Sequence, residues 1–559
     1  MTSKDAHTNF MGGECYELFN PIQALRLPLC SQFLGEPSYY MPAKDEEENT
    51  QIKSILEKLG DHVMFPKYSL MSRQAAFFDA ATNALNYDFA ATLAEANRAR
   101  NEYFMRRAPA QLLAIAASHP GRIDFNENNP KAFRDVVKKC CPLPGDMNAV
   151  LDAWKALHGS KSKFPSFLKR AFEDRLRELT AYHGSKYPRQ TIDMTRISHP
   201  SKKTVQQTVL DPLMRDGRLV LDNAETTWEK HRSQGKSWVE TFDAMNGHIP
   251  HMAALRNMRG FAQSNPGEEY MKKYCIMVLS GVHGGKQFPY SYISAYEACK
   301  NACEQGEMQK KPRKIKGYVP KEKDPIKPVY FEMMEKCLRK CLEKSIENFP
   351  SLEGDVIALS DNSGSAWGTC TSKYGTRCVA DIGNLSALLT ALCCTGKGVV
   401  GVFGDKLHMY TVDKNRSFLE QYEEISTLGK TVGGSTENGL WLFFKRAFEN
   451  PSDYRYDHFF CYSDMQAGHG GLYGQDPEMQ DEYVWQHSHS MKYIDVMSLI
   501  NDYRRSLNPK FNVFMVQTAG YNDAIVPQTT YRGAIMAGWT GNEVVYADKL
   551  VKLWDEVEK

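Results

Sequence analysis

Apolar positions along this chain change rhythm near residue 350. Upstream they recur at helical spacing, in stretches such as 73–85, 109–118, 131–140, 148–157, 164–182, 226–245, 253–261, 290–303 and 330–347. These stretches are separated by Gly, Pro, Asn and Asp. No strand is evident there and no crisp fixed period recurs, so the pattern predicts an α-solenoid or bundle with degenerate repeats. Downstream, short apolar runs at 355–360, 398–403, 407–412, 456–463, 512–518 and 543–547 alternate with helix-like stretches at 385–394, 417–428, 437–449, 494–507 and 547–557. That alternation predicts a doubly wound α/β domain, in which ligands sit beyond the carboxyl ends of strands. Two modules follow, 1–350 and 351–559, with their boundary near 348–354. With 559 residues, 42% of them hydrophobic, the chain can bury two sizeable cores.

Charge divides the same way. Residues 351–559 carry 18 Lys+Arg against 26 Asp+Glu, whereas 1–350 carry 51 against 41, so a net +2 hides a basic helical part and an acidic α/β part. A positive helical array favours phosphate-rich partners, because neutralised phosphates release counterions. Composition alone favours the plainer alternative, lysines that merely solvate helix faces. The densest basic stretch, about 309–328, holds four prolines and runs Lys310-Lys311-Pro312-Arg313-Lys314-Ile315-Lys316 before Gly317. It is read as an extended linker that touches RNA, addresses the protein, or is simply solvated.

Candidate chemistry starts where the run Val356-Ile357-Ala358-Leu359-Ser360 ends in Asp361-Asn362-Ser363-Gly364-Ser365. A small hard dication such as Mg²⁺ prefers oxygen ligands and keeps several waters, so one carboxylate and two hydroxyls at alternate positions can form its inner sphere. The same residues also make an ordinary turn. Two further candidates stand at comparable places: Thr436, in the loop Gly433-Gly434-Ser435-Thr436 that opens a helix, and Asp464, directly after the run Phe459-Phe460-Cys461-Tyr462-Ser463.

Asp-x-Ser-x-Ser, a Gly-Gly loop with threonine, and a strand-terminal aspartate, in that order, resemble the metal-ion-dependent adhesion site of a von Willebrand factor A domain. The resemblance implies Asp361, Ser363 and Ser365 as direct ligands of a divalent cation, Mg²⁺, and Thr436 and Asp464 as direct or water-mediated ones. Ser435 is an alternative to Thr436, because the loop is one residue longer than the family pattern.

The segment Lys186-Tyr187-Pro188-Arg189-Gln190-Thr191-Ile192-Asp193-Met194-Thr195-Arg196-Ile197-Ser198-His199-Pro200-Ser201-Lys202-Lys203 resembles the TROVE module of the Ro autoantigen family, in which an Ile-Ser-His turn followed by basic residues helps hold small structured RNA. Segments 102–119, 164–176, 249–258 and the start of 288–290 agree in order, and a helical module followed by an A domain is the Ro architecture. The resemblance implies a ring of HEAT-like helices closed where the A domain meets the amino-terminal part. Y-like small noncoding RNA would bind the outer surface, through Lys186, His199, Lys202 and Lys203. Single-stranded 3′ ends of misfolded noncoding RNA would enter a central hole, with Arg256 and Arg259 at its rim or interior. Lys186 stands where the family pattern has arginine, and Tyr182 where a basic residue is expected; a lysine lacks the bidentate fork. Read without the family, His199 is a neighbour of a helix N-cap, with Ser198 or Ser201 capping and Pro200 in the first turn.

Other signals narrow the class. No G-x-x-x-x-G-K-[ST], G-x-S-x-G or H-E-x-x-H occurs, so the cation site reads as adhesive or structural and the protein as no enzyme. The stretch 465–492, with Gly468-His469-Gly470-Gly471 and His487-Ser488-His489, matches no established zinc spacing and reads as a lid or partner loop. Fourteen cysteines without paired C-x-x-C knuckles read as free thiols of a reducing compartment. A polar beginning and short apolar runs predict no signal peptide or membrane span and a cytoplasmic location. The expected species is a monomer that binds RNA and possesses an A-domain surface for an exoribonuclease or another protein. The competing expectation is a metal-dependent interaction scaffold with no RNA role, and a metal-dependent RNase would require cleavage that a chelator abolishes.

Overall fold

The computed structural model describes residues 6–8, 14–16, 21–31, 72–102, 105–201, 207–219, 227–304, 325–368, 378–433, 437–463, 484–487, 491–494, 496–518, 526, 530–537 and 541–558. Up to Ile346 these residues are almost entirely helical, and helices such as Arg107–Ser118, Pro144–His158, Ser166–Arg177, His251–Gln263, Pro289–Glu304 and Pro328–Ile346 follow the apolar periodicity closely. Neighbours stack in pairs, Arg107–Ser118 on Pro144–His158 and Ala132–Cys140 on Ser166–Arg177. The contact faces are the apolar stripes themselves: Leu112, Leu113, Val150, Leu151 and Trp154 are buried in one pair's neighbourhood, Phe133, Val137, Leu168 and Phe172 in the other's.

Two expected helices are each divided. The stretch 164–182 stops at Arg177, and the Thr180 hydroxyl then accepts the His183 N–H at 3.2 Å to begin Ala181–Lys186. The stretch 226–245 splits into Trp228–Ser233 and Trp238–Ala244 around Gly235, whose φ of 86° is left-handed, and Ser237 and Glu240 form a reciprocal capping box. The expectation of no strand upstream of residue 350 is also corrected: β1 (Ala6–Thr8) pairs antiparallel with β2 (Glu14–Tyr16). Three residues per strand leave too little alternation to read from sequence.

The carboxyl-terminal module is a six-stranded sheet of β3 (Val356–Asp361), β4 (Gly398–Phe403), β5 (Leu407–Thr411), β6 (His458–Ser463), β9 (Asn512–Gln517) and β10 (Gly533–Ala537), with a separate hairpin of β7 (Val484–His487) and β8 (Met491–Ile494). The order is β10-β9-β6-β3-β4-β5, all parallel except β5, which runs antiparallel to β4. Period-two alternation supplies both faces at once: Val356 and Ala358 join one core, Ile357 and Leu359 the other. Helix Val379–Leu392 packs on β3, β4 and β6, while Glu437–Glu449 and Val496–Ser506 contribute Leu440, Phe443, Phe444, Leu499, Ile500 and Tyr503 to the opposite core.

Five of the six strands expected from sequence are present. The sixth, 543–547, is instead the start of helix Glu543–Val557. Its β-branched pair Val544-Val545 suggests a strand, yet Val544, Ala547, Leu550 and Trp554 bury one face at spacings of three and four. The sixth strand is β10, whose sequence Gly-Ala-Ile-Met-Ala has only one β-branched residue.

Both ends of the helical array rest on this α/β module. Helix Pro21–Ser31 contacts β10 and helix Glu543–Val557, the Tyr546 hydroxyl reaches the Met105 sulfur at 3.7 Å, and Lys549 lies 3.8 Å from Glu102. At the other end helix Pro328–Ile346 meets helix Phe418–Gly429, and Phe288 lies against Gly541. One continuous apolar core runs from the array into the near face of the sheet. The helical array is thus a ring of contacts closed by the α/β domain.

Candidate functional site

β3 is the first strand of its sheet, and its neighbours β4 and β6 lie on opposite sides, so its carboxyl end is the topological switch point of the module. Asp361 ends this strand and is completely buried. Its carboxylate accepts the Ser363 N–H at 2.9 Å and the Ser463 hydroxyl at 2.6 Å, the latter from the end of β6. The Ser363 and Ser365 hydroxyls lie 3.3 Å apart, where the short helix Gly364–Gly368 begins. Three of the sequence candidates thus occupy one strand end. Their donor set is all oxygen, with one carboxylate and two adjacent hydroxyls, which fits a hard divalent cation better than a soft one.

A buried amide lock holds this loop. Asn362 and Asn384 exchange side-chain hydrogen bonds at 2.8 and 3.0 Å, the Ser360 hydroxyl donates to the Asn384 carbonyl at 2.8 Å, and the Asn362 amide also reaches the Ser360 backbone carbonyl at 3.0 Å. Gly429 is required beside it, because a Cβ there would come within 2.1 Å of the Asn362 carbonyl oxygen. Sequence reasoning missed this layer. The Ser463-Asp464 pair at a strand end was a usable signal for Ser463, whereas Asn384 carries none. Thr436, its alternative Ser435, and Asp464 lie outside the described residues, as does most of 465–492. Among the described residues, no group of three or more His, Cys, Asp or Glu side chains could hold a metal.

The second candidate surface lies on helices Ala181–Lys186 and Pro188–Ser198. Lys186 is exposed, donates to the Tyr182 hydroxyl at 2.8 Å and sits 5.2 Å from the centroid of that ring. The hydrogen bond to Tyr182 holds its ammonium above the usual lysine range. His199 is also exposed and closes the second helix, its N–H bonded to the Thr195 carbonyl at 3.0 Å. It thus closes that helix from its carboxyl end: Ser198 is the last helical residue and no N-cap, its hydroxyl donating back to the Met194 carbonyl at 2.7 Å, while the residues that Ser201 would cap lie outside those described. His199 has φ 48° and ψ 55°, a left-handed conformation that normally falls to glycine or asparagine at a helix end. Arg189 and Arg196, seven residues apart, are exposed on this helix as well. Lys202 and Lys203 lie outside the described residues, as does the greater part of the basic linker, 305–324.

Arg256 and Arg259 lie elsewhere in the array, on helix His251–Gln263, where they line a cleft against helix Pro289–Glu304. No described helix is long and apolar enough to cross a membrane. Cys140, Cys141, Cys299, Cys337, Cys341, Cys393, Cys394 and Cys461 are buried and form no disulfide with one another, and burial pushes the Cys140 and Cys393 thiols up to about 12.

The fold defines a class: a ring-like array of helix pairs closed by a von Willebrand factor A-type α/β domain. No protein-family model matches the sequence, and no curated protein matches it. Among solved structures the chain is similar to the Ro (RSR) protein of Deinococcus radiodurans, at 12% identity and a TM-score of 0.58, over 90% of this chain and 100% of that one. At this identity the likeness is one of fold, and at that level it bears out the resemblance to the Ro family drawn from the sequence.

Proposed function

We propose that this protein is a Ro-type RNA-binding protein of a small ribonucleoprotein, acting in the quality control or stability of noncoding RNA. The observation that carries the reading is likeness of fold to a Ro protein over 90% of this chain and 100% of that one. Lys186, His199, Lys202 and Lys203 form the outer contact for a structured, Y-like small RNA, assisted by Arg189 and Arg196. Arg256 and Arg259 serve unpaired 3′ ends of misfolded RNA. Cations supply affinity through phosphates, and His199 and Tyr182 offer rings on which unpaired bases stack.

The α/β module is the second, protein-facing half of this function. Asp361, Ser363 and Ser365, with Thr436 and Asp464, would hold Mg²⁺, whose chemistry is to accept a carboxylate from a partner such as an exoribonuclease. The buried Asp361 carboxylate beside two hydroxyls supports this adhesive reading. One carboxylate is a poor generator of metal-bound hydroxide, so the site is not hydrolytic and the protein is not itself an enzyme. The cell compartment in this reading is the cytoplasm, and the protein acts as a monomer.

The test is RNA co-purification from the native host at low salt, with sequencing of the recovered species and binding repeated across a salt series. Recovery of stem-containing small RNA or of noncoding RNA with unpaired 3′ tails is the expected result. Nucleic-acid-free protein with no salt-dependent binding to tailed RNA would leave the metal-dependent scaffold as the function.

A further inference from the structure

Helices His251–Gln263 and Pro289–Glu304 run side by side, yet part of their seam is left open as a cleft of about 360 Å³. The sequence holds it open. Ser291, Ser294, Ala295 and Ala298 recur at spacings of three and four on the cleft side of the second helix, while the bulky Tyr292, Ile293 and Tyr296 are buried away from it. Across the seam stand Arg256 and Arg259, one helical turn apart, and Gln287 and Tyr290 complete the wall. The lining contains two guanidiniums and no carboxylate. The Arg259 guanidinium is close enough to Cys299, at the floor, to favour its thiolate, although burial dominates and pushes that thiol up to about 12.

An independent feature adjoins the cleft. Lys286, exposed and directly before Gln287, has φ 44° and ψ 38°. Gly285 must stay glycine, since a Cβ there would come within 2.3 Å of the His251 ring, but Gly284 faces open space, so an exchange of Gly284 and Lys286 would have put a glycine in the left-handed position. A strained basic residue beside a basic cleft is the kind of backbone outlier that clusters at ligand sites.

We propose that this cleft is a single-nucleotide subsite, in which Arg256 and Arg259 grip a phosphate, Tyr290 stacks on the base, and Gln287, Ser291 and Ser294 hydrogen-bond the sugar and base edges. The proposal rests on the RNA-binding reading and deepens it. Arginine forks match phosphate bidentately, and aromatic stacking accepts any base. The volume is at the small end of ligand pockets, enough for one unpaired nucleotide and too small for a duplex. An unpaired residue of an RNA strand and a free nucleoside monophosphate share this chemistry.

The experiment uses the full chain and fluorescence anisotropy with two RNAs, a stem carrying a single-stranded 3′ tail and the same stem cut blunt. Arg256→Gln/Arg259→Gln should weaken tail binding roughly tenfold and make its salt slope shallower by about 1. Tyr290→Ala should cost roughly tenfold and Tyr290→Phe less than about twofold, since stacking needs the ring alone. Ser294→Phe, which plugs the cleft and leaves both arginines, should lose the tail as well, so the result does not depend on one variant's folding. Blunt-stem affinity should not change in any of them. Adenosine 5′-monophosphate should displace the tail from the wild type and fail to bind Ser294→Phe. Tail affinity unchanged in both the arginine pair and the plugged variant overturns the subsite while leaving the RNA reading intact. A wild type that binds neither RNA overturns that reading; adenosine monophosphate bound by the wild type and not by Ser294→Phe would then identify a free nucleotide as the occupant, and its failure to bind would overturn the subsite too.

Discussion

The Lys186 ammonium donates to the Tyr182 hydroxyl one helical turn back, at 2.8 Å, and lies over the face of that ring. The lysine is therefore aimed along its own helix, and the tyrosine that replaces an expected cation recruits the next one. Tyr182→Phe keeps the ring and removes the hydrogen bond, freeing the ammonium. Lys186→Ala should weaken binding of a structured small RNA roughly three- to tenfold and make the salt slope shallower by about 1. Lys186→Arg should tighten it, because the guanidinium can grip one phosphate through two bonds. A filter-binding series in salt measures all three.

His199 offers a cleaner separation of function from folding. A non-glycine residue in the left-handed region costs about 1 kcal/mol, so His199→Gly should raise the melting temperature by about 1 °C. The same substitution should weaken RNA binding, because it deletes an exposed ring and donor. Stability and affinity moving in opposite directions is the expected signature, read by calorimetry beside a binding isotherm. A loss of both would assign His199 a purely structural part.

Mg²⁺ that binds the folded protein stabilises it by mass action, by about 2.7 kcal/mol at one hundred times its dissociation constant, and so raises its melting temperature. Asp361→Asn should abolish that increment while leaving RNA affinity within about twofold of wild type. Thermal melts with and without Mg²⁺, set against RNA binding of the same preparations, check this. Equal loss of RNA affinity would refute the division of labour between the modules.

The amide lock makes a separate claim about the same loop. Gly429→Ala drives a methyl into the Asn362 carbonyl, so it should destabilise the α/β module by about 1–3 kcal/mol and blunt the Mg²⁺ increment with no ligand altered. Urea melts monitored with and without the cation measure both effects.

His458 links stability to pH. It is buried in β6, its Nδ1 accepts the Asn512 amide at 3.2 Å, and its Nε2–H therefore donates to the Glu353 carbonyl at 2.8 Å. Burial lowers its pKa, so the ring is neutral in the folded protein and takes up a proton more readily once unfolded. Stability is then full above the unfolded value of about 6.5, declines as pH falls below it, and stops declining once the depressed folded value is passed. His458→Gln should flatten that part of the profile, measured by urea melts between pH 5 and 8.

What was legible in the sequence was whatever repeats along one element. Four strands, β3, β4, β6 and β9, are buried on both faces and read as continuous apolar runs, and the half-buried edge strand β5 was legible too; β10, short and poor in β-branched residues, escaped notice. Val544-Val545 shows the converse error, a local propensity overridden by the helical stripe that Ala547, Leu550 and Trp554 extend. At the candidate metal site the alternate oxygens Asp361, Ser363 and Ser365 belong to one turn and were visible at once. Ser463 and Asn384 reach the same place from a strand one hundred residues away and from a helix, and no spacing rule connects them. His199 was visible as a residue, but its left-handed backbone was not, because Ser198 reads as a cap whereas its hydroxyl bonds back into its own helix.

Closure of the array carries a consequence for how the chain is made. Helix Pro21–Ser31 leaves the ribosome early, yet part of its apolar face is covered by β10 and by helix Glu543–Val557, about five hundred residues later. At typical elongation rates of about 5–20 residues per second, that is an interval of roughly 25 to 100 seconds. Throughout it the nascent amino terminus presents an unfinished apolar surface, a natural client for a chaperone. Premature termination anywhere before the last strand and helix would leave that surface open for good, marking the truncated product for degradation by the cell's proteases.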